Sequence, residues 1–392
     1  MTIKKAAKTL HVFLYIAILA NYSYAQKGNC TVEATINGLG DDTIQIMYYP
    51  LSNVDSMQND ITIARKNHFI YTLPTNQPAI IAIIPKMSWH KRVGGNAYMP
   101  QTKFIELIAL PDDKININGV LYPYYLDYTI TGSLINEEYA KMRATYKDAD
   151  IEAVKLKLKM DSLSAFENTN DESTRLFKLR QSYNHEISTA KMKFIQENPD
   201  SSLSAYYLVR FNLETFAKYY PQLSSNVRNG LFKALLLHKY DEYTKYIAVK
   251  KAEATLTEGE NAPNFSLKDV NGNTLAITDL KGKLIVLDFW GTWCGPCIKE
   301  LSTLKNCHEK YQSKVSFVSI ACNDTEAAWK NIVNKYQLDW TQLINSVDND
   351  VSVLYGIKAY PTKIIIDKDL KIVKRFVGAT DAFYSALNEL VR

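Results

Sequence analysis

The stretch KLIVLDFWGTWCGPCI, residues 283–298, decides the fold of the last third of the chain. Residues 283–290 are almost continuously apolar, which is typical of a buried strand. The motif Cys294-Gly-Pro-Cys297 follows, at the point where a helix is expected to begin. Unpaired backbone N–H groups and the positive end of the helix dipole stabilise a thiolate at such a position. We therefore expect Cys294 to be exposed and reactive.

The second cysteine of the motif lies one helical turn after the first. A thiolate attacks a disulfide and forms a mixed disulfide, and a neighbouring thiol can then displace the captured partner. The spacing of Cys294 and Cys297 therefore predicts a dithiol–disulfide redox site.

Length and charge limit the classes of protein to consider. The chain has 392 residues, which predicts two or three domains rather than one. The formal net charge is +5, but Lys4, Lys5 and Lys8 contribute three of these charges, which leaves +2 for the remainder. A charge this small gives little support to nucleic-acid binding, and we predict no such partner.

The first 25 residues have the pattern of a secretory signal peptide. A basic start is followed by an apolar stretch from Leu10 to Ala20 and by the small residues Ser23 and Ala25. We expect cleavage after Ala25 and a location in the periplasm or cell envelope. The apolar stretch is shorter than the roughly 20 residues that span a bilayer. Without cleavage, this segment would instead hold the protein at the membrane.

Three different compositions follow one another after residue 25. Short strand-like runs separated by turn residues predict an all-β, sandwich-like domain at residues 28–132. Charged segments with apolar positions spaced by three and four predict a helical region at 133–256. Alternating strands and helices predict an α/β domain at 257–392.

The pattern also predicts individual elements. Strands of the first domain are expected at 31–37, 43–49, 68–73, 79–85, 103–110, 114–119 and 128–131. In the helical region, one buried face is expected to contain Leu176, Leu179, Tyr183, Ile187, Ala190 and Phe194. Tyr206 and Tyr207 are expected to pack in a core rather than to line a ligand groove. In the last domain we expect strands at 265–269, 274–277, 283–290, 315–321, 363–367 and 371–377, with helices at 295–312, 326–337 and 382–391.

Residues 259–392 resemble the thioredoxin-like domain of the TlpA/ResA class of exported thiol-disulfide oxidoreductases. The resemblance is carried by LDFWGTWCGPC at 287–297 and by Tyr360-Pro-Thr362. It implies a thioredoxin fold, no cofactor, a protein disulfide as substrate and a membrane-bound electron donor. The upstream regions resemble the N-terminal module often fused to such domains, which concerns architecture only.

The resemblance assigns roles to residues of the motif and of the later proline. It implies Cys294 as the nucleophile, Cys297 as the resolving thiol and Pro361 as a cis-proline that presents the backbone of the preceding residue to the substrate. Tyr360 is larger than the residue common before that proline. Gly-Pro between the cysteines is the dipeptide of reducing thioredoxins, which implies a reductase. Residues expected to contact the substrate are Trp293, Gly295, Pro296 and Tyr360.

Two acids are candidate proton carriers for the cysteine pair. Asp288 lies in the apolar strand, where burial should raise its pKa. It could take the Cys297 proton through a water molecule when that thiol attacks. Glu300 lies three residues after Cys297 and matches the acid of the ResA-like pattern Cys-x-x-Cys-x-x-Glu. The simpler alternatives are a tolerated strand acid for Asp288 and a half-solvated helix charge for Glu300.

Other interpretations of the cysteine pair are open. A zinc site needs four ligands, and His308 is the only histidine nearby in sequence, so we expect no metal site. A purely structural disulfide across this short step would stabilise little. A thiol peroxidase of the peroxiredoxin type would have Thr three residues before its cysteine, whereas Thr292 lies two before Cys294.

A non-enzymatic alternative is a cell-envelope binding protein with a vestigial redox domain. The intact set of Asp288, both motif cysteines and Pro361 argues against it. Of the other cysteines, Cys307 is expected to be a small buried hydrophobic residue. Cys322 follows a strand and could approach the site, or could bridge to Cys307. Cys30 has no predicted role.

Overall fold

The computed structural model describes residues 28–53, 56–91, 97–163 and 170–392. The expected signal peptide at residues 1–25 lies outside the described residues. The chain divides into two compact units, the second of which begins at Lys239. Within the described ranges, no helix is both long enough and apolar enough to cross a membrane.

The first unit begins with strands that pair into two four-stranded sheets and a two-stranded ribbon. The strands are β1 (Gly28–Asn37), β2 (Asp42–Pro50), β3 (Gln58–Ala64), β4 (His68–Thr75), β5 (Ala79–Pro85), β6 (His90–Lys91), β7 (Ala97–Tyr98), β8 (Ile105–Ala109), β9 (Lys114–Leu121) and β10 (Leu126–Thr131). The sheet orders are β10-β9-β1-β4 and β3-β2-β5-β8, and the ribbon is β6-β7.

Alternation of side chains explains why these strands form two layers. In β1 every second residue from Gly28 is buried, so one face of the strand points into a core. Val32 of the first sheet shares that core with Ile46 and Ile83 of the second. Inner faces of two sheets that share one core are the mark of a sandwich. The expected all-β, sandwich-like architecture is confirmed.

Two features of these sheets do not follow from the sequence pattern. β3 is not predicted, because it begins with three polar residues at 58–60 and its Ile61 and Ile63 are exposed. β1 pairs with β9 in parallel, although some eighty residues separate the two strands in the chain. A pairing of that kind cannot be predicted from turn residues, because parallel strands are joined by a long connection rather than by a tight turn.

Helices make up the next part of the chain, as the sequence predicts. They are α1 (Leu134–Ala144), α2 (Lys147–Leu163), α3 (Asn170–Glu197), α4 (Ser202–Leu208), α5 (Leu213–Tyr219), α6 (Ser225–Arg228) and α7 (Lys233–Thr255). The Ser201 side chain caps α4 by accepting a hydrogen bond from the Leu203 N–H at 3.1 Å.

The buried faces of these helices agree only in part with the sequence pattern. Tyr206 and Tyr207 are buried, which confirms their expected core packing. Leu179 is 43% exposed, so its expected burial is wrong. Three residues along a helix of 3.6 residues per turn put Leu179 about 60° from the buried Leu176, at the edge of the apolar stripe.

The second unit contains one mixed sheet with helices. Its strands are β11 (Ser266–Asp269), β12 (Thr274–Ala276), β13 (Leu284–Trp290), β14 (Val315–Ala321), β15 (Thr341–Ile344), β16 (Thr362–Ile366) and β17 (Ile372–Val377). After α7, its helices are α8 (Gly295–Tyr311), α9 (Glu326–Tyr336), α10 (Val351–Leu354) and α11 (Asp381–Val391). The strand order is β12-β11-β15-β14-β13-β16-β17.

The position of β13 determines where the cysteine motif lies. β13 pairs in parallel with β14 and antiparallel with β16, and all of its residues after Leu284 are buried. This is the predicted thioredoxin fold. β15 and α10 are not predicted, because four-residue elements are too short for a clear pattern. α8 starts just beyond the carboxyl end of β13, an edge at which α/β sheets usually hold their functional sites.

Candidate active site

The cysteine motif forms the junction between β13 and α8. Cys294 caps the first turn of α8, and its sulfur accepts a hydrogen bond from the Cys297 N–H at 3.2 Å. The two cysteines are joined by a disulfide, with their Cα atoms 5.3 Å apart. The structure therefore shows the oxidised pair, with the first sulfur at the helix N-terminus, where the sequence predicts it.

The disulfide itself is buried, and the exposed residues of the motif are its neighbours. Cys294 is 5% exposed and Cys297 is buried, so the expected exposure of the first cysteine is not found in this oxidised form. Both side chains belong to the apolar core beneath α8, which explains the difference. Trp293 is 54% exposed, and Gly295 and Pro296 are also exposed. These three expected substrate contacts therefore lie at the surface.

The peptide bond between Tyr360 and Pro361 is cis, as the resemblance implies. Pro361 and Cys297 line the same small cavity. The Tyr360 ring packs edge-on against the Trp293 ring, with 5.3 Å between the ring centroids. The structure thus brings the cysteine motif, Trp293 and the Tyr360–Pro361 pair together.

Asp288 lies in β13, directly opposite Ser319 of β14 and Lys363 of β16. The Ser319 hydroxyl donates to Asp288 Oδ2 at 3.0 Å and accepts from Trp340 Nε1 at 2.9 Å. Asp288 Oδ1 has no hydrogen-bond partner within the part of the chain that the structure describes. Burial raises the pKa of Asp288, and the charge of Lys363 opposes that effect. The predicted direction of the shift is confirmed.

A buried lysine joins the two predicted acids. Lys363 is 1% exposed, and its Nζ lies 2.6 Å from Glu300 Oε2 and 3.5 Å from Asp288 Oδ1. The Tyr384 hydroxyl, on α11, donates to Glu300 Oε1 at 2.8 Å. The Glu300 side chain is nearly buried, so its interpretation as a half-solvated helix charge is wrong.

A small cavity touches both the disulfide and the acids. Its volume is about 10 Å³, measured as the space open to the centre of a water molecule. Residues around it include Asp288, Cys297, Glu300, Pro361 and Lys363. This volume is close to the lower limit for one ordered water. The cavity therefore has room for a single water between Cys297 and Asp288.

Two anchors hold the loop before Cys294. Thr292 donates its N–H to Asp324 Oδ2 at 2.7 Å and its hydroxyl to Asp324 Oδ1 at 2.5 Å. The Trp293 indole N–H donates to the Cys322 carbonyl at 3.0 Å. A Cβ atom on Gly291 would lie 2.5 Å from that indole nitrogen, so glycine is required for this approach.

The other three cysteines are free and buried. A bridge between Cys307 and Cys322 is therefore not formed. Burial raises the pKa of Cys307 to about 11 and that of Cys322 to about 12. Cys30 lies in the β-sheet core, and burial raises its pKa to about 12. Such thiols stay protonated at neutral pH and are poor nucleophiles.

Several residues of the site are not evident from the sequence. They are Ser319, Asp324, Trp340, Lys363 and Tyr384. A local signal exists for Lys363, which is the one charge in a strand whose five residues are all buried. Across the described ranges, no group of three or more His, Cys, Asp or Glu side chains could hold a metal ion.

The buried carboxyl of Asp288 should cost stability at neutral pH. The folded protein binds its proton more tightly than the unfolded chain does, so stability falls as the pH rises above the unfolded pKa of about 3.9. We expect Asp288→Asn to increase the free energy of unfolding at pH 7 by about 1–3 kcal/mol, the range for a buried polar group without a full set of partners. The reason is that the neutral amide removes the negative charge that burial disfavours. The Lys363–Glu300 ion pair is retained in this variant, so Lys363 still has a partner of opposite charge.

Denaturant unfolding of the two proteins at pH 7 and at pH 3.5 measures this effect. Most of the gain should disappear at pH 3.5, where the Asp288 carboxyl is largely protonated in both the folded and the unfolded state. An equal gain in stability at both pH values would contradict the conclusion that the ionised Asp288 carboxyl destabilises the fold.

Comparison with known proteins agrees with this geometry. The profile of the AhpC/TSA family matches residues 259–375. Thiol-disulfide oxidoreductase ResA of Bacillus anthracis is 39% identical over 121 residues, which are 31% of this chain and 69% of that protein. The ResA protein of Bacillus subtilis is 35% identical over 153 residues, which are 39% of this chain and 84% of that protein.

Solved structures are also similar to part of the chain. The thioredoxin domain of a thiol-disulfide oxidoreductase from Bacteroides vulgatus is 27% identical and covers 35% of this chain and 100% of its own, with a TM-score of 0.33. A thiol-disulfide oxidoreductase from Bacteroides fragilis is 26% identical and covers 33% and 99%, with a TM-score of 0.31. On its identity to the two Bacillus proteins over more than two thirds of their length, the chain belongs to the ResA family of thiol-disulfide oxidoreductases.

Proposed function

We propose that the protein is exported and reduces disulfides of other proteins by dithiol–disulfide exchange at Cys294 and Cys297. The observation that carries the proposal is a cavity that touches Cys297, at the N-terminus of α8, and also touches the buried carboxyl of Asp288. A thiol that must attack needs a base of raised pKa within reach, directly or through one water.

In the first step, the Cys294 thiolate attacks one sulfur of the substrate disulfide. A bond forms between Cys294 and that sulfur, the substrate S–S bond breaks, and the other substrate sulfur leaves as a thiolate that takes a proton from water. The N–H groups at the start of α8 stabilise the attacking thiolate.

In the second step, Cys297 attacks the Cys294 sulfur of the mixed disulfide. The Cys297 proton passes to Asp288, the Cys294–Cys297 bond forms, and the substrate leaves as its second thiolate, which is protonated in turn. Two electrons have then moved from the protein to the substrate. Asp288 later releases its proton to solvent.

The exposed residues around the disulfide are proposed to hold the substrate. Trp293, Gly295 and Pro296 surround the disulfide at the surface, and Tyr360 packs on the Trp293 ring. The cis bond at Pro361 supports a role of the Tyr360 backbone in pairing with an extended segment. The large side chain of Tyr360 is expected to limit the size of the substrate side chains that can lie beside the disulfide.

The dipeptide between the cysteines supports the direction of electron flow. Gly-Pro occurs in thioredoxin, which has a potential of about −270 mV, whereas the oxidant DsbA has about −120 mV. A reductase needs a supply of electrons, which we assign to a membrane-bound dithiol donor. The basic and apolar pattern of residues 1–25 supports export. N-terminal sequencing of the secreted protein should give a chain that begins at Gln26.

Reduction of insulin by the full chain tests the proposed activity. Dithiothreitol in excess over the insulin disulfides would supply the electrons and return the protein to its reduced form. Precipitation of the insulin B chain would report the reaction. We expect the wild-type protein to accelerate precipitation and Cys294→Ser to leave it at the uncatalysed rate. A Cys307→Ser variant is the matched control and should behave as wild type. Equal rates with and without the wild-type protein would overturn the proposal.

Consumption of peroxide distinguishes the alternative thiol peroxidase. The Thr292 hydroxyl donates its hydrogen to Asp324, so it has no hydrogen left to donate to a peroxide at Cys294, and this supports exchange instead. We therefore expect no hydrogen peroxide consumption above that of Cys294→Ser. A vestigial domain in an envelope binding protein would show neither activity.

A further inference from the structure

The two carboxylates beneath the disulfide are not equivalent. Both oxygens of Glu300 are engaged, one by Lys363 Nζ at 2.6 Å and one by the Tyr384 hydroxyl at 2.8 Å. Asp288 Oδ2 accepts a hydrogen bond from Ser319. Oδ1 has no hydrogen-bond partner among the described residues and has only the longer 3.5 Å contact with Lys363 Nζ. Asp288 therefore has an oxygen that is free to accept a proton, whereas both oxygens of Glu300 already accept hydrogen bonds.

Charge balance separates the two carboxylates further. The side chains of Asp288, Glu300 and Lys363 are almost completely buried, so a net charge among them is costly. With both acids ionised the three groups carry a net charge of −1, and with one acid protonated they are neutral. The shorter contact pairs Lys363 with Glu300, which leaves Asp288 as the acid that gains and loses the proton.

We propose that Lys363 is a positioning residue that holds Glu300 as a fixed ion-pair partner and thereby leaves Asp288 to exchange the proton of Cys297. This inference rests on the proposed dithiol exchange. It concerns the second step alone, in which the Cys297 thiol loses its proton to Asp288, the Cys294–Cys297 bond forms and the bond between Cys294 and the substrate breaks. Glu300 then acts through its contact with Lys363.

Several ionisable groups face Asp288 and influence its pKa. They are Cys297 and Glu300 of α8, Lys363 of β16, Tyr384 of α11 and Cys322 at the end of β14. Lys363 lowers the pKa of Asp288, whereas Glu300 raises it. Removing Lys363 should therefore raise the pH at which Asp288 becomes able to accept a proton, and removing the charge of Glu300 should lower that pH.

The aromatic disulfide DTNB, added to the reduced full chain, separates the two steps. Attack by Cys294 releases one coloured thiolate, and attack by Cys297 on the resulting mixed disulfide releases a second. We expect Lys363→Met to slow the second release about tenfold at pH 7, a part of the usual contribution of a general base, and to move its pH profile upward. The first release should change less than about threefold, because Cys294 is not served by this base.

Glu300→Gln should shift the pH profile in the opposite direction to Lys363→Met, so the comparison of these two variants is decisive. It should move the pH profile of the second release downward, because the Lys363 charge then acts on Asp288 alone. The double variant Lys363→Met/Glu300→Gln removes one charge of each sign, so the net charge of the buried groups does not change. It can replace Lys363→Met in the experiment if that variant does not fold. In that double variant the second release should still depend on Asp288.

The outcomes distinguish this inference from the proposed function. An unchanged pH profile in Lys363→Met, or a second release that is lost in Glu300→Gln and retained in Asp288→Asn, would overturn the role of Lys363. Absence of the first release from the wild-type protein would instead overturn the dithiol exchange itself. A uniform slowing of both releases without a shift of the profile would mean that Lys363 is merely structural.

Discussion

Substitution of Cys297 by serine should leave substrate proteins covalently attached to Cys294. Serine cannot attack the mixed disulfide, so the first step proceeds and the second stops. We expect bands of higher mass on non-reducing gels of cells that produce Cys297→Ser, and their loss on addition of dithiothreitol. In the DTNB assay this variant should release one coloured thiolate rather than two.

The double variant Cys294→Ser/Cys297→Ser is the control for this experiment, because it lacks both sulfurs of the motif. It should capture nothing. Capture by the double variant would assign the adducts to one of the three buried cysteines instead. Adducts that persist in Cys294→Ser alone would reverse the proposed order of attack. Mass spectrometry of the captured proteins would also name the substrates.

Asp288→Asn should slow the second step about a hundredfold at pH 7, the lower range of general base catalysis. Asparagine fills the same space and accepts a hydrogen bond but takes no proton. We expect the second release of colour from DTNB to become slow and to lose the pH dependence attributed to Asp288, while the first release is kept. Asp348→Asn, which changes an exposed acid of the same unit, is the control and should match the wild type.

A second release that remains fast in Asp288→Asn would show that Cys297 gives its proton to another group. Together with the expected gain in stability at neutral pH, a slow second release would mean that the protein keeps a destabilising carboxyl because the reaction needs it. Such an exchange of stability for function is common at active sites.

The sequence predicts the redox pair well because its chemistry is local. Four consecutive residues contain both sulfurs, and the transition from an apolar strand to a helix places them at a helix N-terminus. The pKa direction of Asp288 is also local, since it follows from an acid within a buried strand. The cis bond at Pro361 follows from the resemblance rather than from any pattern within the chain.

The environment of Asp288 could not be predicted, because it depends on strand register. Ser319 and Lys363 lie directly opposite Asp288, yet they are 31 and 75 positions away in the chain. A shift of one residue in either pairing would turn the neighbouring side chain to the other face of the sheet. The burial of Glu300 could not be predicted either, because it depends on contacts with Lys363 of β16 and Tyr384 of α11, which are far from it in the chain.

The indole of Trp293 offers a built-in optical reporter of the redox state. It adjoins Cys294, packs on Tyr360 and is fixed by its hydrogen bond to the Cys322 carbonyl. Disulfides quench the fluorescence of neighbouring indoles, so opening of the Cys294–Cys297 bond should brighten this residue. Trp290 lines the cavity beside Cys297 and should respond as well. The buried Trp329 and Trp340 and the exposed Trp89 of the first unit would contribute a steadier background. Reduction of the enzyme can therefore be followed in real time without an added dye.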